Sequence, residues 1–287
     1  FADPFLSPES RTYWPGLFLT LLIMLLFQWK QTKEAIRTAS FRLDVQLFLG
    51  RQILGMISIG TAIGTTLWLS TRAVLWLDKT FFIPQITLFS TTTINILYSI
   101  TLFIIWDLSR YILHRCMHTI PILWNFHQIH HSAERLTPLT HYRIHPFESG
   151  LYIIRYIIST TFVVALFYWL FRSNIKGYTL LGVPAAGLIL NTLFGNLRHS
   201  EVWIPYPSFF EKWFISPAQH QLHHSIAPEH YGKNFGTWLS IWDRMGDTLV
   251  ISKNQKITYG VPKHERNHGD DIFCHVLAFQ KNRLQSL

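Results

Sequence analysis

The sequence predicts an all-α fold: an integral membrane helical bundle of about four to five spans, with a cytosolic, histidine-rich helical cap. Three observations carry that expectation. Hydrophobic residues make up 49% of the 287 residues and charged residues only 14%, against about 25% charged in an ordinary soluble domain. Apolar runs recur at lengths near the roughly 20 residues needed to cross a bilayer. Histidine is over-represented, with 15 copies, and none lies in the middle of an apolar run. The same composition excludes a disordered chain, a coiled coil and a nucleic-acid tail, and a mean hydropathy of +0.19 argues against a wholly soluble enzyme.

Five spans are expected, in chain order: Tyr13 to Trp29, Ile53 to Thr71, about Ile86 to Trp106, Leu151 to Phe171, and Tyr178 to Leu197. The first and fifth are short or interrupted by glycine and fit partial insertion. Arg155, near the start of the fourth, can snorkel to the interface. Five spans place residues 30–52, 107–150 and 198–287 on one side. Those loops carry Lys30, Lys33, Arg37, Arg42, Arg51, Arg110, Arg115, Arg135 and Arg143, and further Lys and Arg in the tail. The opposite side holds Arg11, Arg72, Lys79, Arg172 and Lys176. Basic residues concentrate on the cytosolic side of membrane proteins, so the large loops are expected in the cytosol. The formal charge of +9 has the same origin. Cys116 and Cys274 are far apart and imply no disulfide framework. Phe1 rather than Met opens the chain, which points to a trimmed start, and no secretory signal with a small-residue cleavage site is legible.

The histidines fall into spaced groups on the expected cytosolic face. His114 and His118 follow the third span as His-x3-His. His127, His130 and His131 form His-x2-His-His. His141 and His145 precede the fourth span, His199 leaves the fifth, and His220, His223 and His224 repeat His-x2-His-His. Positions i and i+4 share a helix face about 6 Å apart along the axis, so His114 and His118 can converge on one metal ion. In His-x2-His-His the first residue shares a face with both others, so the triplet can feed one ion or bridge two. Imidazole suits iron, zinc, copper and nickel. His145 precedes Pro146 and is expected as a loop ligand; His141 is a weaker candidate. His230, His264, His268 and His275 have no partner at ligand spacing and read as surface or structural residues.

The order of these boxes resembles the fatty acid hydroxylase and sterol desaturase superfamily. The flanks share the likeness: Asp107-x6-His114-Arg115, Leu123-Trp124-x-Phe126-His127-x-Ile129-His130-His131-Ser132, Arg143-x-His145-Pro146, His199-Ser200, Ser216-Pro217-x2-His220, Asn234-Phe235-Gly236 and Trp242-Asp243-Arg244. The likeness covers roughly residues 100–250. It implies a membrane enzyme with a histidine-bound di-metal centre, two iron ions in the working enzyme, using O2 and two electrons to hydroxylate or desaturate a C–H bond of a lipid such as a fatty acyl chain or sterol. Where some members carry a paired His-x3-His, this chain has Gly195 four residues before His199, and His145 is the residue expected to complete the set.

The expected metal ligands are therefore His114, His118, His127, His130, His131, His145, His199, His220, His223 and His224. The three boxes His114/His118, His127/His130/His131 and His220/His223/His224 form the catalytic core. Ten imidazoles are too many for one ion and suit two with four or five each. Carboxylates behind the ligands can orient the rings and offset charge; Asp107, two turns before His114, leads, with Glu148, Glu201 and Asp243 behind it. Zinc can replace iron in a purified sample, since imidazole binds both. No flavin or nicotinamide fingerprint is present, so electrons must come from a separate b-type cytochrome, ferredoxin or reductase. Three units are expected: membrane spans and a basic loop over 1–100, a catalytic domain over 101–250 with a membrane hairpin at about 151–197, and a cytosolic tail over 251–287. The setting is the bacterial inner membrane or the endoplasmic reticulum, with no nucleic-acid partner. Two other classes compete. A zinc-dependent membrane hydrolase needs three protein ligands and an open position, which ten histidines exceed. A metal transporter needs ionisable groups inside the spans, where only Arg155 and Asp107 come close.

Overall fold

A computed structural model describes residues 33–261 except 83–85, 87, 173–178, 181–182, 185–194 and 196, together with positions 18, 22, 26, 29 and 30. The expected first span lies almost wholly outside the described residues. So does most of the fifth, in which Thr179–Leu180 and Val183–Pro184 pair as two-residue antiparallel strands β1 and β2. Apart from that pair, the described elements are helical.

Three long helices form the apolar part. α1 (Ala39–Thr80) opens on Thr38, whose hydroxyl accepts the Phe41 N–H at 3.1 Å. It contains the expected second span but is longer, and bends by 46° between Ala39–Gly55 and Gly60–Thr80. α2 (Thr91–Thr119) is capped by Ser90, whose hydroxyl accepts the Thr93 N–H at 3.1 Å. At 29 residues it is about 43 Å long by the helical rise, so it outruns a hydrocarbon core of about 30 Å by roughly two turns. His114 and His118 lie in its last two turns. α4 (Pro146–Phe171) opens on His145, whose Nδ1 accepts the Phe147 N–H at 3.0 Å. α2 and α4 are each long and apolar enough to cross a membrane, and α1 makes a third if its bent halves form one span. Among the described residues the protein is thus helical apart from β1 and β2, with two to three membrane-capable helices.

Packing fixes how these helices run. Val163 and Phe167 of α4 bury against Ile94 of α2, with Tyr98 edge-on to Phe167 at 5.5 Å. At the far end Arg172 forks onto Asp78, tying the ends of α4 and α1 together. The outward faces carry Leu67, Trp68, Ile100, Ile158 and Phe162, all exposed, as an acyl-facing surface requires.

The short elements gather at the opposite end. α3 (Pro121–His131) follows α2 after a single residue, Ile120, with Pro121 at its first position. Ile129 of α3 packs on Leu43 and Leu47 of α1. A 3-10 turn, Pro138–Tyr142, is held to α1 by a buried ion pair between Arg143 and Asp44 at 3.4 Å. Asp44 also accepts from Thr137 and Thr140 hydroxyls at 3.2 and 2.8 Å. Further along the chain come a 3-10 turn Leu197–His199, α5 (Ser208–Glu211), α6 (Pro217–His223) and α7 (Ile241–Met245). Glu211 knits this region by accepting Ser216 and Ser252 hydroxyls, both at 2.6 Å.

Candidate metal centre

Nine histidines meet in two adjoining groups. His114, His118, His127, His131 and His223 form one; His130, His199, His220 and His224 form the other. In each group one ring nitrogen per residue lies within 4.8 Å of all the rest. The helical spacing explains the division. His127 and His131 are i and i+4 on α3 and stay together, while His130 points to the second group. On α6, His220 and His224 stay together and His223 crosses to the first. Each His-x2-His-His box therefore serves both groups, which welds α3 and α6 across the centre.

The second group gives the sharper test of fit. Its Nε2 atoms stand 3.2 Å apart between His130 and His199, 3.1 Å between His199 and His220, and 3.3 Å between His220 and His224. Imidazole binds zinc at about 2.0–2.1 Å, and tetrahedral ligands at that radius stand about 3.3–3.4 Å apart. The spacing matches a tetrahedral ligand shell. In the first group the Nε2 atoms of His118, His127, His131 and His223 are buried without a hydrogen-bond partner. Three Nδ1 atoms of this group are anchored from behind: His114 on the Phe235 carbonyl at 2.8 Å, His223 on the Lys233 carbonyl at 2.8 Å, and His127 on Glu148 Oε1 at 2.9 Å. An Nδ1–H donated outward leaves the Nε2 lone pair facing inward, the tautomer a metal ligand needs. Burial, reinforced by neighbouring rings, holds His130, His131, His220 and His224 well below the ordinary imidazole range. Burial, with a smaller push from His127 and against the Lys233 carbonyl, brings His223 down to about 3. These rings are neutral near pH 7, so their lone pairs are available. The residues fit two divalent ions.

The tenth expected ligand stands apart. His145 belongs to neither group; it caps α4, and its ring packs on Phe126 at 4.8 Å. His141 instead is buried with its ring 5.1 Å from that of His199. Of the expected supporting carboxylates, Glu148 touches a ligand ring, that of His127. Asp107 holds the closing loop, accepting the Trp238 and Leu239 N–H groups at 3.1 and 3.0 Å and the Trp242 indole at 3.0 Å. Asp243 accepts the Phe235 and Gly236 N–H groups at 2.8 and 2.7 Å, and so fixes the carbonyl that orients His114. Glu201 pairs with Arg135 at 3.1 Å. The prominence of Glu148 had a signal in the sequence: an acid in the first turn of an otherwise apolar helix must either face water or find a buried donor. Arg198, buried and 3.8 Å from the Trp238 ring centroid, had none.

Comparison with known proteins points the same way. The family model described as fatty acid hydroxylase matches residues 99–248. The chain is 30% identical over 155 residues to an alkylglycerol monooxygenase of Homo sapiens, covering 54% of this chain and 31% of that protein. It is 28% identical over 156 residues to the Xenopus tropicalis alkylglycerol monooxygenase, with the same coverage. An ornithine lipid hydroxylase of Rhizobium tropici is 29% identical over 150 residues, 51% of this chain and 40% of the relative. The match thus spans about a third of the length of the first of these relatives. No solved structure matches significantly. With the family model spanning more than half of its length and every histidine box inside or beside the described centre, the chain belongs to the fatty acid hydroxylase family.

Proposed function

We propose that this protein is a membrane-bound, O2-dependent di-iron oxidoreductase that hydroxylates a C–H bond of a bilayer lipid. The observation that supports this most strongly is the convergence of nine imidazoles in two adjoining groups at the end of apolar helices, in a family whose relatives bear lipid monooxygenase and hydroxylase names. No side chain can break an unactivated C–H bond. Two iron ions held by these histidines would supply the oxidising chemistry with O2 and two electrons.

The chain's own part is positional. His114, His118, His127, His131 and His223 would hold one ion, and His130, His199, His220 and His224 the other, with His141 beside the second. Glu148 and the carbonyls of Phe235 and Lys233 keep their ligand rings in one tautomer. Burial of the rings excludes bulk water. The centre sits on the overhang of α2, so a lipid can rise between the apolar helices without leaving the bilayer. Residues 101–250 form the catalytic unit in this scheme.

The large loops would face the cytosol, following the distribution of Lys and Arg. A separate carrier would deliver electrons there. The exposed Lys253 and Lys256, with the half-buried Lys233, would favour an acidic one and speed its encounter. Aerobic incubation of membranes containing the protein with extracted lipids, followed by mass analysis, tests the proposal. Products heavier by one oxygen support hydroxylation. Loss of two hydrogens indicates desaturation instead, and no change in any lipid contradicts both.

A further inference from the structure

A cavity of about 40 Å3 opens on the histidine groups, lined by five of their nine histidines, by Glu148 and by two arginines, Arg110 and Arg198. It has room for about three water molecules, or one carboxylate or phosphoryl group. Both arginines are held by aromatic stacking. The Arg110 guanidinium lies 5.4 and 5.0 Å from the Trp106 and Tyr152 ring centroids. Neither Arg110 nor Arg198 forms an ion pair or a side-chain hydrogen bond among the described residues. The Nε and Nη2 of Arg198 are buried without a partner.

A guanidinium keeps its charge and carries five in-plane donors. Stacking engages the faces and leaves the edges open. Of the nearby acids, Asp107 is committed to three donors of the closing loop, and Glu148 reaches His127 through Oε1 while its Oε2 stays buried without a partner at the cavity wall. Arg155, bonded to the Trp106 carbonyl and the Ser109 hydroxyl, adds positive potential close to Arg110. A buried guanidinium edge without an acceptor is strongly unfavourable, so the arginine side of the cavity, with Nε and Nη2 of Arg198 unpartnered, suits an anion.

We propose that Arg110 and Arg198 form an oxyanion subsite that takes the phosphate or carboxylate head of the lipid substrate beside the histidine groups. The substrate class is therefore an anionic lipid. Because the arginines share a cavity with His114, His130 and His220, the oxidised carbon lies only a few bonds from the head rather than far along the tail. This inference rests on the hydroxylase proposal above for the role of the ligand, but not for its binding.

The test is equilibrium binding to the full chain in neutral detergent, using dodecyl phosphate, dodecanoate and dodecanol. One or both anions should bind at least tenfold more tightly than the alcohol, with the difference shrinking as salt rises; whichever anion leads identifies the head. Arg110→Gln and Arg198→Gln should each remove most of that difference, and partition into the micelle is common to all forms. Equal affinity for all three amphiphiles, or a preference that survives both substitutions, overturns the subsite. If Arg198→Gln does not fold, the wild-type comparison and Arg110→Gln, at a half-buried position, decide. Anion preference with no oxidised product from any lipid refutes hydroxylation and leaves the subsite. Oxidation of neutral lipids with no anion preference does the reverse.

Discussion

Replacing Glu148 with Gln should weaken one of the two ion sites selectively. Glu148 and His127 are 1% and 2% exposed, and their contact is 2.9 Å. A hydrogen bond to a charged partner at a buried site contributes about 1.5–3 kcal/mol, and each 1.4 kcal/mol is about tenfold in affinity. Outer residues that orient metal-bound histidines typically change affinity by about 10–100-fold, which agrees. The substitution keeps the shape of the side chain but removes its charge. His127 belongs to the group with His114, His118, His131 and His223, and not to the group with His199 and His220. Dialysis against graded chelator, followed by elemental mass spectrometry, should therefore release one ion from Glu148→Gln at about 10–100-fold lower chelator strength, and the other where the wild type releases it. Glu201→Gln, whose carboxylate faces Arg135, serves as the control and should release both ions normally. Wild-type release from Glu148→Gln, or simultaneous early loss of both ions, would refute the orienting role.

Three further outcomes are expected. The metal-stripped protein should lose stability as pH falls below about 6.5: the unfolded histidines take up protons that His130, His131, His220, His223 and His224 resist in the fold, so stability rises with pH at up to about 1.4 kcal/mol per unit for each ring. Thermal unfolding from pH 5 to 8 checks this, and a flat profile would contradict it. Asp107→Asn should lower the unfolding temperature, since one of the oxygens facing three donors becomes a donor itself; about 1–3 kcal/mol is at stake, and circular dichroism melting measures it. Gly236→Ala should cost about 1–3 kcal/mol by overpacking, because its Cβ would lie 2.7 Å from both Asp243 Oδ2 and the Leu239 carbonyl; unchanged melting and metal content would show that the loop gives way.

Period and spacing made part of this architecture legible. The i, i+4 relation put His114 with His118, and it holds between the rings, 5.1 Å apart. The choice between feeding one ion and bridging two stayed open in the sequence, because it depends on how α3 and α6 face each other across the centre. Hydropathy located α2 and α4 but shortened α1, whose 42 residues include a polar first stretch that packs on α3 and the 3-10 turn rather than on lipid. Asp107 shows the limit of spacing arguments. Two turns before His114 it shares that helix face, yet its oxygens go to Trp238, Leu239 and Trp242, more than 130 residues away in sequence. The relevance of Arg198 depends equally on a distant partner, the Trp238 ring, and no local pattern encodes it.

The central claim is a two-ion histidine centre. Purifying the protein from cells grown with iron, and measuring metal per chain by elemental mass spectrometry with X-ray absorption at the iron edge, tests it most directly. The expected result is two ions per chain in a nitrogen-rich shell, with iron in the active preparation and zinc only as a substitute. His131→Ala and His224→Ala should lose about one ion each while still inserting into membranes. One ion or none per active chain, or ions retained in full by both variants, would contradict the centre described here.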